Sequence, residues 1–356
     1  MSTEPDVLLE RRGEAGVITL NRPKALNALN LTMVRAIHPQ MKAWAHDPAV
    51  TRVIIKAAGE KAFCAGGDIR AIYDHGRVGQ VEDALRFWFE EYQLNHYIGT
   101  YPKPYVALID GICMGGGFGL SAHGPYRVAG ERYLFAMPEV AIGLFPDVGG
   151  THVLPRLPDA KGVYLALTGA RIKAADAISA GLATHFVPSA GFAALEAALV
   201  AGGDVAETLA AHARDPGPAP LDRHKSVIAD AFGRPDVWAI LGRLDEIGAG
   251  TDEDAAFARD SAAIIRAKCP TSVALAMEQM RRGPALDLAE CLVAEYRVVN
   301  RVARGHDFYE GVRAVIVDKD NAPRWEPARL EDIDPAVIAA HFAPIAHELT
   351  FTPDSA

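Results

Sequence analysis

The chain has 356 residues, half of them hydrophobic and 23% charged, which is the composition of a soluble globular protein with one large domain or two modest ones. Its formal net charge of −9 argues against nucleic acid as a main partner, and an anionic ligand must therefore find positive potential supplied locally. No uncharged apolar run reaches the length of a membrane span, and no basic, apolar signal sequence opens the chain, so a cytoplasmic protein with no membrane partner is expected.

Cys64, Cys113, Cys269 and Cys291 are scattered, none at zinc-ligand spacing, and read as small buried hydrophobes in a reducing compartment. In chain order, Val7 to Arg11 and Gly16 to Leu20 read as two strands joined by a Gly-Glu-Ala-Gly turn. Met33, Ile37, Met41 and Trp44 recur every three or four residues and predict an amphipathic helix, with a kink or early break at Pro39. Arg52 to Lys56, Tyr105 to Ile109 and Tyr133 to Ala136 follow as apolar strands, so the first half belongs to the α/β class.

The second half changes to helical patterns over Phe192 to Leu209, Asp222 to Ile247, Glu253 to Ala267, Ser272 to Arg282, Leu286 to Ala303 and Phe308 to Val317. Asp-Pro-Gly-Pro-Ala-Pro over 215–220 is the best linker candidate, which sets a boundary between residues 1–215 and 216–356. Pro323 to Pro327 reads as irregular chain and the last few residues as a frayed end.

Three segments carry the chemistry. Phe-Cys-Ala-Gly-Gly-Asp-Ile over 63–69 follows a strand, and its paired glycines let backbone N–H groups approach a ligand. Asp-Gly-Ile-Cys-Met-Gly-Gly-Gly-Phe-Gly over 110–119 runs from a strand into glycines that open a helix, where unpaired N–H groups gather. Neither a dinucleotide fingerprint nor a GK[ST] loop is present, which leaves an oxyanion hole or a tightly packed helix start. In the third, 135–150, Glu139 and Asp147 each follow a proline within an otherwise apolar stretch. A carboxylate held near an apolar pocket has a raised pKa and can exchange protons near neutrality.

FCAGGDI, GxxMGGGFGL and MPEVAIGLFPDVGG, in this order, resemble the crotonase (enoyl-CoA hydratase/isomerase) superfamily over roughly residues 7 to 190. The resemblance implies a spiral of ββα repeats with a helical C-terminal region, an acyl-coenzyme A substrate, and an oxyanion hole formed by the N–H groups of Gly67 and Gly116. Members of the superfamily often associate into a homo-oligomer, a trimer or hexamer, through their C-terminal helices; the alternative is that these helices fold back over the chain's own active site. A hydratase of that family uses a second glutamate two positions after the glycine triplet. Gly119 stands there, which argues against water addition.

Three further features are similar to the 3-hydroxyisobutyryl-CoA hydrolase subgroup: the E-x7-D spacing of Glu139 and Asp147, Glu91 within Phe-Glu-Glu-Tyr-Gln-Leu-Asn over 89–95, and the segment 307–325. The resemblance then implies thioester hydrolysis, and through it a place in valine breakdown. Glu139 attacks as nucleophile or activates water as general base, and Asp147 and Glu91 hold the substrate hydroxyl, position water or shuttle a proton. No metal or redox cofactor is required. His123, His152 and His185 lack ligand spacing and read as structural, and Ser121 has no nucleophile elbow around it. Lys61 and Arg70 are the candidates for the CoA phosphates. An enoyl-CoA hydratase or isomerase working from Glu139 alone or with Asp147, and a non-catalytic acyl-CoA-binding module, are the competing readings.

Overall fold

The structure is a computed structural model that describes residues 4–351; the frayed end expected at the C-terminus falls outside the described residues beyond Phe351. Among the described residues ten strands form: β1 (Val7–Arg12), β2 (Ala15–Leu20), β3 (Arg52–Ala57), β4 (Ala62–Cys64), β5 (Tyr105–Ile109), β6 (Ile112–Met114), β7 (Tyr126–Ala129), β8 (Leu134–Ala136), β9 (Ile172–Lys173) and β10 (His185–Phe186). One sheet has the order β1-β2-β3-β5-β7-β10 and the other β4-β6-β8-β9. β3, β5 and β7 enter the larger sheet, and each is followed by a short strand that enters the smaller one. That alternation is the ββα spiral. β1 and β2 pair antiparallel, whereas β2–β3, β3–β5 and β5–β7 are parallel.

β2 is buried along its whole length because both faces of the sheet are covered. Ala15 and Val17 pack with Ile54, Val106, Leu195, Leu199 and Leu209 in one apolar cluster. Each fully buried Leu or Ile there contributes roughly 1.5–3 kcal/mol. On the alternate residue, a Cβ at Gly16 would come within 2.5 Å of the Trp44 ring, so the helix Leu31–His46 lies directly on the strand. That helix runs through Pro39 without the expected break. Pro39 is exposed, so the carbonyl that loses its partner can turn to water.

Of the described residues, one compact unit takes those within Met1–Asp68, Gln93–Phe135 and Arg171–Pro220, and the other those within Ile69–Tyr92, Ala136–Ala170 and Leu221–Ala356. The first holds the sheets. The second is dominated by helices, among them Val237–Gly248, Glu253–Arg266, Pro270–Arg282, Leu288–Val302 and His306–Val312. Acidic caps set several starts: Asp236, Asp252 and Asp287 each accept a backbone N–H, and Asp287 forms a reciprocal capping box with Glu290. Two expected helices are each broken in two. Phe192 to Leu209 splits at Gly202 and Gly203, both at positive φ, and Asp204 caps the helix that restarts. Asp222 to Ile247 splits between Phe232 and Val237.

Candidate active site

In the first unit, β4 and β6 pair in parallel, Ala62 with Ile112 and Cys64 with Cys113. The loops leaving their carboxyl ends therefore emerge side by side, the usual place for a ligand in parallel sheets. Gly67 follows β4. It faces Leu29 in a parallel bridge whose hydrogen bonds run from Leu29 N–H to Gly66 O (2.9 Å) and from Asp68 N–H to Leu29 O (2.8 Å). Those bonds use the neighbours of Gly67, so its own N–H points away from Leu29. Gly116 begins the helix Gly116–Ser121, and a first-turn N–H has no intrahelical partner. Gly115 precedes it at φ 46° and ψ −118°, a backbone conformation open to glycine and little else.

A Cβ at Gly117 would lie 2.4 Å from the Cys64 carbonyl oxygen, which shows how closely the two loops approach. Gly117→Ala is expected to cost about 1–3 kcal/mol of stability through overpacking, read as a lowered denaturant midpoint. An unchanged midpoint would mean that the loops can separate freely.

The second unit gathers the acids. Glu91, Glu139, Asp147 and Glu295 are each no more than 5% exposed. Glu91 lies on the helix Val81–Gly99, Glu139 opens a single 3-10 turn, and Asp147 ends the apolar stretch that follows. Tyr92 donates its hydroxyl to Asp147 Oδ2 at 2.8 Å, and the Trp88 side chain, one turn earlier, donates to the same carboxylate. Burial is the main force on every one of these acids. It pushes Asp147 up to about 7 against its hydrogen bonds, and Glu295 up to about 8. Burial, with Asp147 and Glu295 nearby, holds Glu91 well above the usual carboxylate range. Burial and the neighbouring Asp147 do the same to Glu139.

Glu139 Oε2 and Glu91 Oε1 are buried with no hydrogen-bond partner among the described residues. A buried carboxylate oxygen without a donor is rare and points to a task. Asn95, one turn after Glu91, likewise has neither amide atom paired.

The acid-bearing segments are gripped by the C-terminal helices. Cys269 N–H bonds Val140 O at 3.0 Å. A Cβ at Gly143, itself at φ 70°, would sit 2.1 Å from the Asp307 carbonyl oxygen, and one at Gly311 would sit 2.3 Å from the Ile142 carbonyl carbon. Trp88 meets Phe308, and Phe89 and Tyr92 meet Tyr296, edge-on at 5.5–6.4 Å between ring centroids.

Gly67 and Gly116 thus lie on neighbouring loops of one unit, and Glu91, Glu139 and Asp147 in one acidic cluster of the other. Lys61 is exposed beside β4, and Arg70 is exposed in an ion pair with Asp74 at 3.0 Å. Ser121 donates back to Gly117 O at 2.8 Å, so its hydroxyl is engaged in its own helix. All four cysteines are buried, and none is in a disulfide among the described residues. The sequence reading missed Trp88, Tyr92, Asn95 and Glu295. A signal existed for the last: Glu295 interrupts the apolar run Cys-Leu-Val-Ala-Glu-Tyr, the same anomaly that singles out Glu139.

Residues 15–342 match the family model described as enoyl-CoA hydratase/isomerase. The chain is similar to the protein named 3-hydroxyisobutyryl-CoA hydrolase, mitochondrial, from Homo sapiens, at 47% identity over 350 residues, covering 95% of this chain and 88% of that one. It is 50% identical to the protein of the same name from Danio rerio over 335 residues, covering 92% and 87%. Among solved structures it resembles a carnitinyl-CoA dehydratase from Mycobacterium thermoresistibile, with TM-score 0.91 and 43% identity over 98% of this chain and 99% of that one. It also resembles an enoyl-CoA hydratase from Rhodobacter sphaeroides 2.4.1, with TM-score 0.90 and 40% identity over 98% and 100%. The mitochondrial names correct the expectation of a cytoplasmic protein. Among the described residues, no helix is long and apolar enough to cross a membrane.

Proposed function

The chain belongs to the enoyl-CoA hydratase/isomerase family, and from that premise we propose that it hydrolyses 3-hydroxyisobutyryl-CoA to the free acid and CoA. The relatives named as that hydrolase support this reading, at 47–50% identity over at least 92% of the chain. The observation that carries it is Glu139: one buried carboxylate with an unpartnered oxygen, and Gly119 where a second glutamate would be needed to add water.

In this mechanism the N–H groups of Gly67 and Gly116 donate to the thioester carbonyl oxygen and strengthen those bonds as it becomes an oxyanion. Such a donor is worth about 10²–10³ in rate. Glu139 bonds to the carbonyl carbon, the C–S bond breaks, and the CoA thiolate takes a proton as it leaves. Water then cleaves the mixed anhydride and restores Glu139. The alternative role for Glu139 is to take a proton from the attacking water, which goes to the same products without the anhydride. Asp147 and Glu91 hold the substrate hydroxyl, and Lys61 and Arg70 meet the CoA phosphates. Valine breakdown is the pathway this substrate implies.

The test is thiol release from 3-hydroxyisobutyryl-CoA, isobutyryl-CoA and crotonyl-CoA. A site that hydrogen-bonds a hydroxyl rejects the analogue without it by up to about 10⁴-fold. At least a hundredfold preference for the hydroxylated substrate in kcat/KM is expected, and equal rates would remove the hydroxyl-binding role of Asp147 and Glu91. The names of the two solved structures favour a second reading, enoyl-CoA hydration. Loss of the enoyl absorbance of crotonyl-CoA without any thiol release would establish it instead.

A further inference from the structure

We infer that Glu295 is a positioning residue: through the backbone of residues 149–151 it fixes where the Asp147 carboxylate stands. The inference rests on the proposed role of Asp147 at the thioester. Glu295 lies on the helix Leu288–Val302 and spends both carboxylate oxygens on one short segment. Oε2 accepts from Gly149 N–H at 2.8 Å and Oε1 from Thr151 N–H at 2.9 Å. These donors follow Asp147 by two and four residues.

The segment needs holding. Val148 sits at φ 52° and Gly149 at φ 86°, two successive left-handed residues, and a β-branched side chain rarely adopts that conformation. A second grip comes from the helix Pro270–Arg282, where Gln279 Nε2 donates to Pro146 O at 2.9 Å and to Thr151 Oγ1 at 2.7 Å. Asp147 is therefore held on both flanks, by side chains from two helices far along the chain, while Tyr92 fixes its carboxylate from a third direction.

A neutral side-chain amide could have satisfied either N–H group without burying a further acid. Burying a further acid close to Asp147 and Glu91 works against folding, so its placement asks for a reason other than stability. The two oxygens of a planar carboxylate supply one: they bridge N–H groups two residues apart with fixed geometry, which one amide oxygen cannot do.

The experiment compares the full-length wild type with Glu295→Gln, Glu295→Asp and Gln279→Ala. It reads kcat and KM for thiol release, melting temperature, and hydrogen exchange of the peptide spanning 146–151. In Glu295→Gln one backbone donor faces an amide NH₂. That peptide is expected to exchange at least tenfold faster, with kcat lowered at least tenfold and KM within threefold. Glu295→Asp keeps both oxygens on a shorter stem and is expected to recover part of kcat. Should Glu295→Gln fail to fold, Gln279→Ala tests the same segment from its other flank, with the same direction expected in exchange and kcat. Faster exchange with wild-type kcat would make Glu295 merely structural, and unchanged exchange would overturn the clamp itself. If the wild type releases no thiol, the hydrolase reading fails, and exchange alone then decides the clamp.

Discussion

Glu139→Gln is expected to release thiol from 3-hydroxyisobutyryl-CoA at least about 10³-fold more slowly than wild type, with its melting temperature unchanged or raised. The first half follows from the proposed role of Glu139 as the carboxylate that attacks the thioester or activates the water. Gly119 offers no substitute, and an amide neither attacks a thioester nor accepts a proton from water. The second half follows from the site. Glu139 Oε2 has no partner among the described residues, so the variant removes no hydrogen bond there and relieves the neighbouring Asp147 of a like charge. A catalytic collapse without a folding defect separates a reacting group from a structural one. Retention of a tenth of the activity would place the chemistry elsewhere in the cluster. In the wild type, a burst of thiol before steady state would select the anhydride route over general-base catalysis.

The glycine loops and the two acids of the third motif were legible because each violates a local rule. Glycines clustered after a strand, and carboxylates inside an apolar run, are poor choices for packing alone. The glycine loops also explain why, in the smaller sheet, β8 was read as a strand and β4 and β6 were not. β4 and β6 are three residues each and stop at the glycines, too short for an alternating pattern to register. Glu91 was legible only through resemblance. Its helix carries acids at both 90 and 91, and which of them turns inward depends on the helix phase, fixed by Trp88 and Tyr92 against Phe308 and Tyr296. Glu295 acts on a segment about 145 residues away, and such a partner has no signature in local spacing. The helical second half was visible as helices. That it braces the acid loops through Cys269, Gln279, Glu295 and the backbone at Asp307 appears only once the chain is folded.

The same cluster's own contribution to stability is expected to fall as pH rises from acid toward neutral, opposite in sign to that of carboxylates held low by arginines, such as Asp245 and Glu310. Asp147 carries its proton from its usual 3.8 up to about 7 in the folded chain, and burial moves Glu91, Glu139 and Glu295 in the same direction. Below about pH 4 these groups are protonated folded or unfolded, so their full contribution is present. Between there and about pH 7 the unfolded chain gives up protons that the folded chain keeps. At these groups the folded state then binds more protons, and their share of the stability falls with pH. A tenfold step in proton affinity is worth about 1.4 kcal/mol, so Asp147 alone accounts for on the order of 4 kcal/mol at most. Asp147→Asn keeps an oxygen for Tyr92 and loses the titration. Its melting temperature is expected to fall less steeply than that of the wild type between pH 5 and 8, and to exceed it at pH 8. Activity is expected to run the other way, because either proposed role of Glu139, nucleophile or general base, needs the ionised carboxylate. The acid limb of kcat/KM is expected well above the pH 4–5 of an ordinary carboxylate, because burial and the neighbouring Asp147 raise the Glu139 carboxyl. A rate that stays flat down to pH 5 would mean that the reacting carboxylate is ionised despite its burial, with a donor to it supplied by the bound substrate.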